Sequence, residues 1–152
     1  MKQLNKLSNP NKIELYTYLC VLEEELKNSF GLFDIKSTAL NSFLGQERIL
    51  LGSLCDSNEK KKGEYKYYLL CNLRKPDKYI NVHDNDQAFL HLKHTRNAIA
   101  HANIKSINKL NYSIEDYSEN GNLSAIGKMK CDVFYRLIEE LLKTKKSNNR
   151  PI

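Results

Sequence analysis

The sequence predicts an all-α fold, a bundle of about four to five helices with a small β-hairpin before the last helix. Apolar residues recur at intervals of three and four along most of the chain, which is the period of an amphipathic helix. One stretch, Tyr112–Tyr117, alternates instead. The turn signal Glu119–Asn122 separates this stretch from a second short strand over 123–126. Helices and one hairpin are therefore the predicted elements.

The N-terminal half carries the first predicted helices. Asn9 and Pro10 are typical of an N-cap and a first helical position, and apolar residues follow at helical spacing as far as Gly31. A second helix is predicted over 37–54, although two glycines inside it weaken the pattern. The segment 64–74 suits either a helix or a strand. We favour a helix, because its apolar residues keep one helical face and a proline follows it.

Two further helices are predicted in the C-terminal half. Asp84–Asp86 offers an N-cap, and the residues from there to about Lys105 contain no glycine or proline. After the hairpin, apolar residues at helical spacing predict a closing helix over about 128–145. The helix that ends near Lys105 carries the residues with the most chemistry.

That helix joins a guanidinium, an amide and an imidazole within six residues, Arg96, Asn97 and His101. A guanidinium can hold a phosphate through two parallel hydrogen bonds, and an imidazole can move protons near neutral pH. Lys93 and Lys105 lie on either side and can extend a positive rim for RNA. The pattern favours chemistry on a phosphodiester.

The stretch Arg96–His101 resembles the Arg-(four to six residues)-His motif of HEPN domains, in the variant with Asn after Arg. The resemblance implies a small helical bundle, a homodimer, and the metal-independent ribonuclease activity of many members, which act as toxins or antiviral defence effectors. Toxins of this family that a nucleotidyltransferase silences carry a tyrosine two residues after the histidine, where this chain has Asn103. Control by that modification is therefore not expected, but another antitoxin or regulatory partner remains possible.

Cleavage of RNA without a metal needs a base for the ribose 2′-hydroxyl, charge stabilisation on the phosphorane, and a proton for the leaving 5′-oxygen. His101 suits the proton transfers and Arg96 the phosphate, while Asn97 can orient the imidazole or bind the phosphate. The expected products are a 2′,3′-cyclic phosphate and a 5′-hydroxyl. The other histidines, His83, His91 and His94, match no motif position and are expected to be structural or surface residues.

The helical period sets a constraint on this site. Arg96 and His101 lie about 140° apart around the helix, so one chain does not bring them together automatically. Leu90, Asn97 and His101 share one side. If this side forms the interface of a symmetric dimer, two copies of the motif face each other across a composite cleft. One His101 can then act as base and the other as acid.

The composition limits the partners and the compartment. Hydrophobic residues make up 41% and charged residues 28%, as expected for a single globular domain over 1–152 with flexible ends at 1–8 and 146–152. The net charge of +6 favours RNA as a partner, although lysines also merely solvate loops. The four scattered cysteines match no metal spacing, and no apolar run could cross a membrane. We expect no metal, no cofactor and a cytoplasmic location.

Three functions remain open on these grounds. The first is a metal-independent endoribonuclease. The second is a non-catalytic module that binds RNA, a nucleotide or a partner protein, because a fold does not guarantee activity. The third is a purely structural helical dimer, in which Arg96 and His101 only contribute to stability.

Overall fold

The computed structural model describes residues 9–56, 63–74 and 86–146. These residues form four α-helices and a five-stranded sheet, so the fold is α/β and the prediction of an all-α, HEPN-like bundle is wrong. The helices are α1 (Asn9–Glu25), α2 (Thr38–Glu47), α3 (Gln87–Ala100) and α4 (Cys131–Leu142). The strands are β1 (Ile49–Ser53), β2 (Tyr67–Cys71), β3 (Ile104–Ser106), β4 (Asn111–Tyr117) and β5 (Leu123–Lys130).

The sheet is mixed, with the strand order β1-β2-β5-β4-β3. Strands β1 and β2 run parallel, whereas β2–β5, β5–β4 and β4–β3 are antiparallel pairs. The predicted hairpin corresponds to β4 and β5, which pair with a register shift near Tyr117. These two strands do not stand apart from a helical bundle, because β2 and β3 extend the sheet on either side of them.

Two predicted helices contain strands β1 and β2, which the sequence patterns missed. Segment 37–54 holds α2 and β1, and Arg48 between them adopts a left-handed φ of 57°, which ends the helix. Segment 64–74 holds β2, whose residues other than Tyr68 are buried between β1 and β5. A strand covered on both faces has a continuous apolar run, and periodicity cannot distinguish such a run from a buried helix.

The core lies between the sheet and the helices. Helices α3 and α4 contact each other and both pack against β4 and β5, while α1 packs against α3. Strand β4 turns Tyr112 and Ile114 into this core, and their partners across β5 are Met129 and Gly127. Helix α3 is thus enclosed by α1, α4 and the sheet, which positions its C-terminal end over β4.

The two ends of α3 are held in different ways. At the start, the Asp86 carboxylate accepts hydrogen bonds from the N–H groups of Phe89 at 2.8 Å and of Gly31 at 2.9 Å. At the other end, Ala102 adopts a left-handed φ of 59°. The helix therefore stops at Ala100 rather than near Lys105 as predicted, and the chain continues into β3 at the sheet edge.

The last helix begins later than predicted, because β5 continues to Lys130 before α4 starts at Cys131. The predicted flexible ends lie outside the described residues except for Lys146, whose N–H donates to the Leu32 carbonyl at 2.6 Å. Within the described part of the chain, none of the helices has the length and apolar character needed to cross a membrane.

Candidate functional site

His101, the predicted proton-transfer residue, lies at the C-terminal end of α3. Its backbone N–H donates to the Asn97 carbonyl at 2.9 Å, so the residue caps the helix. Its imidazole Nδ1 lies 3.0 Å from Oδ1 of Asp116 on β4. The histidine side chain is 57% exposed and the aspartate side chain 2% exposed. The ring is therefore held at Nδ1 by Asp116, and the rest of it is open to solvent.

Asp116 is a candidate functional residue that the motif did not contain. Its Oδ1 also accepts from the Asn103 amide at 3.4 Å, and its Oδ2 accepts from the Ser124 hydroxyl at 3.4 Å. The signal for it was present in the alternation of Tyr112–Tyr117, because position 116 shares the inward face with Tyr112 and Ile114. A carboxylate at an inward-facing position of a strand needs polar partners, and here His101 is the nearest of them.

The pair of His101 and Asp116 has a defined chemistry. A carboxylate can only accept at Nδ1, so it selects the neutral tautomer with the proton on Nδ1 and the lone pair on Nε2. Nε2 has no hydrogen bond to any of the described residues, and it can take a proton from a substrate hydroxyl. The imidazolium that forms is stabilised by the buried carboxylate beside it.

Arg96 and Asn97 are brought together, but not with His101. The Oδ1 of Asn97 accepts from Nε of Arg96 at 3.1 Å and from Nη2 at 2.9 Å. Asn97 therefore holds the guanidinium through its carbonyl oxygen, whereas Asp116 holds the imidazole. Within the described residues no hydrogen bond joins Arg96 to His101, in agreement with their separation around the helix.

The two lysines of the predicted rim lie at different places. Lys93 is on α3, one turn before Arg96, and the two side chains line a groove between α3 and the end of α1. Lys105 is exposed on β3, where it pairs in register with Ser113. The positive rim therefore extends along α3 on one side of His101 and along the sheet edge on the other.

Of the remaining described histidines, His91 is buried and His94 is half-buried. The Nε2 of His94 donates to the Asn72 carbonyl at 2.7 Å, and burial lowers the pKa of this imidazole. Burial also lowers the pKa of His91 to about 3, with the neighbouring His94 as a smaller cause. Both Nδ1 atoms are buried without a hydrogen-bond partner among the described residues. These two histidines are neutral at pH 7; His83 lies outside the described residues.

The side of α3 that the sequence predicts as a dimer interface packs within its own chain. Leu90 on that side is 1% exposed, and His94 reaches the end of β2. On this face His101 is exposed, whereas Asn97 and His94 are half-buried. A composite site between two copies must therefore involve the end of α3 rather than its full length.

A buried cysteine lies near Asp116. Cys71 lies on the inward face of β2, and burial followed by the nearby Asp116 raises the pKa of its thiol. The described parts of the chain, 9–56, 63–74 and 86–146, contain no group of three or more His, Cys, Asp or Glu residues arranged to hold a metal ion.

Comparisons of the chain with protein-family models, with curated protein sequences and with solved structures found no match. The resemblance to HEPN domains consequently rests on the residues of the motif alone.

Proposed function

We propose that this protein is a metal-independent endoribonuclease that cleaves RNA to 2′,3′-cyclic phosphate and 5′-hydroxyl ends. The observation that carries the proposal is the bond between Nδ1 of His101 and the buried carboxylate of Asp116, which leaves Nε2 open on the surface. The exposed ring together with a buried carboxylate is suited to repeated proton transfer.

In the proposed reaction, Nε2 of His101 removes the proton from a ribose 2′-hydroxyl. The 2′-oxygen then attacks the adjacent phosphorus, and the bond between phosphorus and the 5′-oxygen breaks. Arg96 stabilises the charge on the non-bridging oxygens, and Asn97 holds its guanidinium for that purpose. Lys93 and Lys105 contribute to RNA binding on the two sides.

The leaving 5′-oxygen requires a proton from a second group. Burial keeps His91 and His94 neutral, so neither suits this role. A second copy of His101 supplies it in a homodimer whose sites meet at the ends of α3. The biological role that follows is that of a cytoplasmic toxin or antiviral defence effector, with an antitoxin or another regulatory partner.

The test is RNA cleavage by the purified protein in excess EDTA, with analysis of the product ends. His101→Ala should lower the rate by about a hundredfold or more, because general acid–base catalysis contributes that much. Arg96→Ala should cause a loss of similar size. Arg136→Ala, which removes an exposed arginine on α4 that pairs with Glu47, is the matched control and should cut normally. Full activity of the His101 variant would reject the proposal.

The second candidate function is a non-catalytic module that binds RNA or a nucleotide. The groove beside Arg96 is the feature that favours it, because three of its side chains are cationic. RNA binding that weakens with salt, without any cyclic-phosphate product, would support this function instead.

A further inference from the structure

A groove lies between the end of α1 and the outer side of α3, and we call it the α1–α3 groove. It encloses about 240 Å³. Pockets for drug-sized ligands begin at roughly 300 Å³, so the groove has room for one small unit rather than for a nucleic-acid duplex. Its lining residues are Glu23, Leu26, Lys27, Asn28, Phe89, Lys93 and Arg96.

The walls of the groove are positive and its floor is apolar. Lys27 extends from the end of α1, and Lys93 and Arg96 extend from α3. Glu23 is the one acid among the lining residues. On the floor, Leu26 is 6% exposed and Phe89 is 5% exposed. An anion with an apolar, planar part matches this combination, because cations bind its phosphate and an apolar surface accepts a base.

Arg96 connects the groove to the His101 site. Its side chain lines the groove, while its guanidinium is bonded to Asn97 on the next position of the helix. His101 lies five positions after Arg96, which corresponds to a rise of about 7.5 Å along the axis. Because the two residues also lie about 140° apart around the helix, a strand that contacts both must cross the surface of α3 between them.

We propose that the α1–α3 groove binds one nucleotide of a single-stranded RNA, next to the phosphodiester on which His101 acts. The base lies against Leu26 and Phe89, and the phosphate lies between Lys27 and the cations of α3. The position of the bound nucleotide next to a scissile bond rests on the proposed ribonuclease function. The binding itself does not, and it can be measured without cleavage.

The probe is a single-stranded RNA of about eight nucleotides, within the usual site sizes of single-strand binding proteins, with every 2′-oxygen methylated. A methylated 2′-oxygen cannot attack the phosphorus, so binding is measured in the absence of reaction. Fluorescence polarisation gives the dissociation constant Kd at several salt concentrations. Unlabelled duplex of the same sequence and free adenosine monophosphate serve as competitors.

Two variants with opposite expected effects on RNA affinity test the groove. Lys27→Ala should weaken binding by about threefold to tenfold and lower the salt slope by roughly 0.7, as expected for one lost phosphate contact. Glu23→Gln should tighten binding by about twofold, because it removes the negative charge from the groove. Both residues are on the surface of α1 or its end, so their replacement leaves the core intact.

Lys143→Ala is the matched control. Lys27 pairs with Glu24 at 3.4 Å and Lys143 pairs with Glu140 at 3.3 Å, each three residues away in sequence, and both lysine side chains are 70% exposed. The control should bind the probe as the wild type does. An equal loss in both lysine variants, or weaker binding by Glu23→Gln, would overturn the proposal.

The competitors separate the remaining outcomes. Single-strand binding requires that duplex RNA and adenosine monophosphate compete poorly with the probe; equal competition by either one would also overturn the proposal. If the protein does not cleave RNA in EDTA but shows this binding pattern, the proposed ribonuclease function is rejected and RNA binding in the α1–α3 groove is supported. If it cleaves RNA but Lys27→Ala and Glu23→Gln bind the probe as the wild type does, RNA binding in the α1–α3 groove is rejected and the ribonuclease function is supported.

Discussion

At the scale of single residues, the site depends on what holds each side chain. His101 is oriented by a carboxylate from the sheet, and Arg96 is oriented by the amide that follows it. Asn103, where silenced HEPN toxins carry their modified tyrosine, donates to Asp116 instead. Asp116, which lies outside the motif, therefore orients His101, whereas Asn97, which lies inside it, orients Arg96.

Asp116→Asn tests whether the carboxylate orients His101 for proton transfer. An asparagine amide can donate to Nδ1 and so favour the tautomer with the proton on Nε2, which cannot act as a base. The cleavage rate should fall by about a hundredfold or more, with the far-ultraviolet circular dichroism spectrum unchanged. Glu115→Gln, on the same strand but bonded to Tyr117 on the other side, should retain full activity. Equal rates in the two variants would remove Asp116 from the mechanism.

At the scale of elements, a strand could be predicted from the sequence when only one of its faces is buried. Strand β4 alternates because one of its faces is covered, and the alternation was readable. Strand β2 is covered on both faces and was read as a helix. The motif predicted His101 as a site residue but did not predict Asp116. The hydrogen bond between them joins residues 15 positions apart across a turn of the chain, and helical spacing cannot predict such a contact. Asp116 could be placed on the inward face, but its partner could not.

Helix α3 differs from a surface helix, because it is buried on most sides and carries two histidines whose pKa is lowered by burial. The pKa of His91 is lowered to about 3 by burial, whereas an unfolded chain protonates near 6.5. The unfolded state therefore binds the proton first. The free energy of unfolding should be unaffected above pH 6.5 and should fall as the pH drops toward 3, by up to about 1.4 kcal/mol per pH unit for this one residue.

Urea unfolding at pH 7, 6, 5 and 4 measures this loss, with His91→Leu for comparison. The leucine variant removes the titrating group and the unpaired Nδ1, so its free energy of unfolding should decline less steeply below pH 6.5. His94 and the carboxylates still titrate in both proteins. Parallel curves for the two proteins would show that the buried imidazole does not contribute.

At the scale of the whole molecule, the number of chains in the active unit is the central question. Among its described residues, one chain supplies one exposed imidazole bonded to a buried carboxylate, and the proposed reaction needs two proton-transfer groups. In mixtures of wild type and His101→Ala in equal amounts, random dimers contain about one quarter pure wild type, so the activity should fall to about a quarter. A monomeric enzyme would retain about half.

The mixing experiment requires subunits that exchange, which fluorescence energy transfer between labelled copies can verify. Lys143→Ala mixed with the wild type is the control, and it should leave the activity per total chain unchanged. Retention of half the activity after proven exchange would contradict the composite site and assign both proton transfers to one chain.

His101 and Asp116 are near neighbours along the chain, since only β3, the short segments on either side of it and most of β4 lie between them. Closing so short a loop costs little conformational entropy, whereas joining β1 and β2 to the sheet requires contacts across far longer separations. We therefore expect the imidazole and the carboxylate to meet early in folding. Insertions and exchanges in the N-terminal half would then leave this pair of side chains in place.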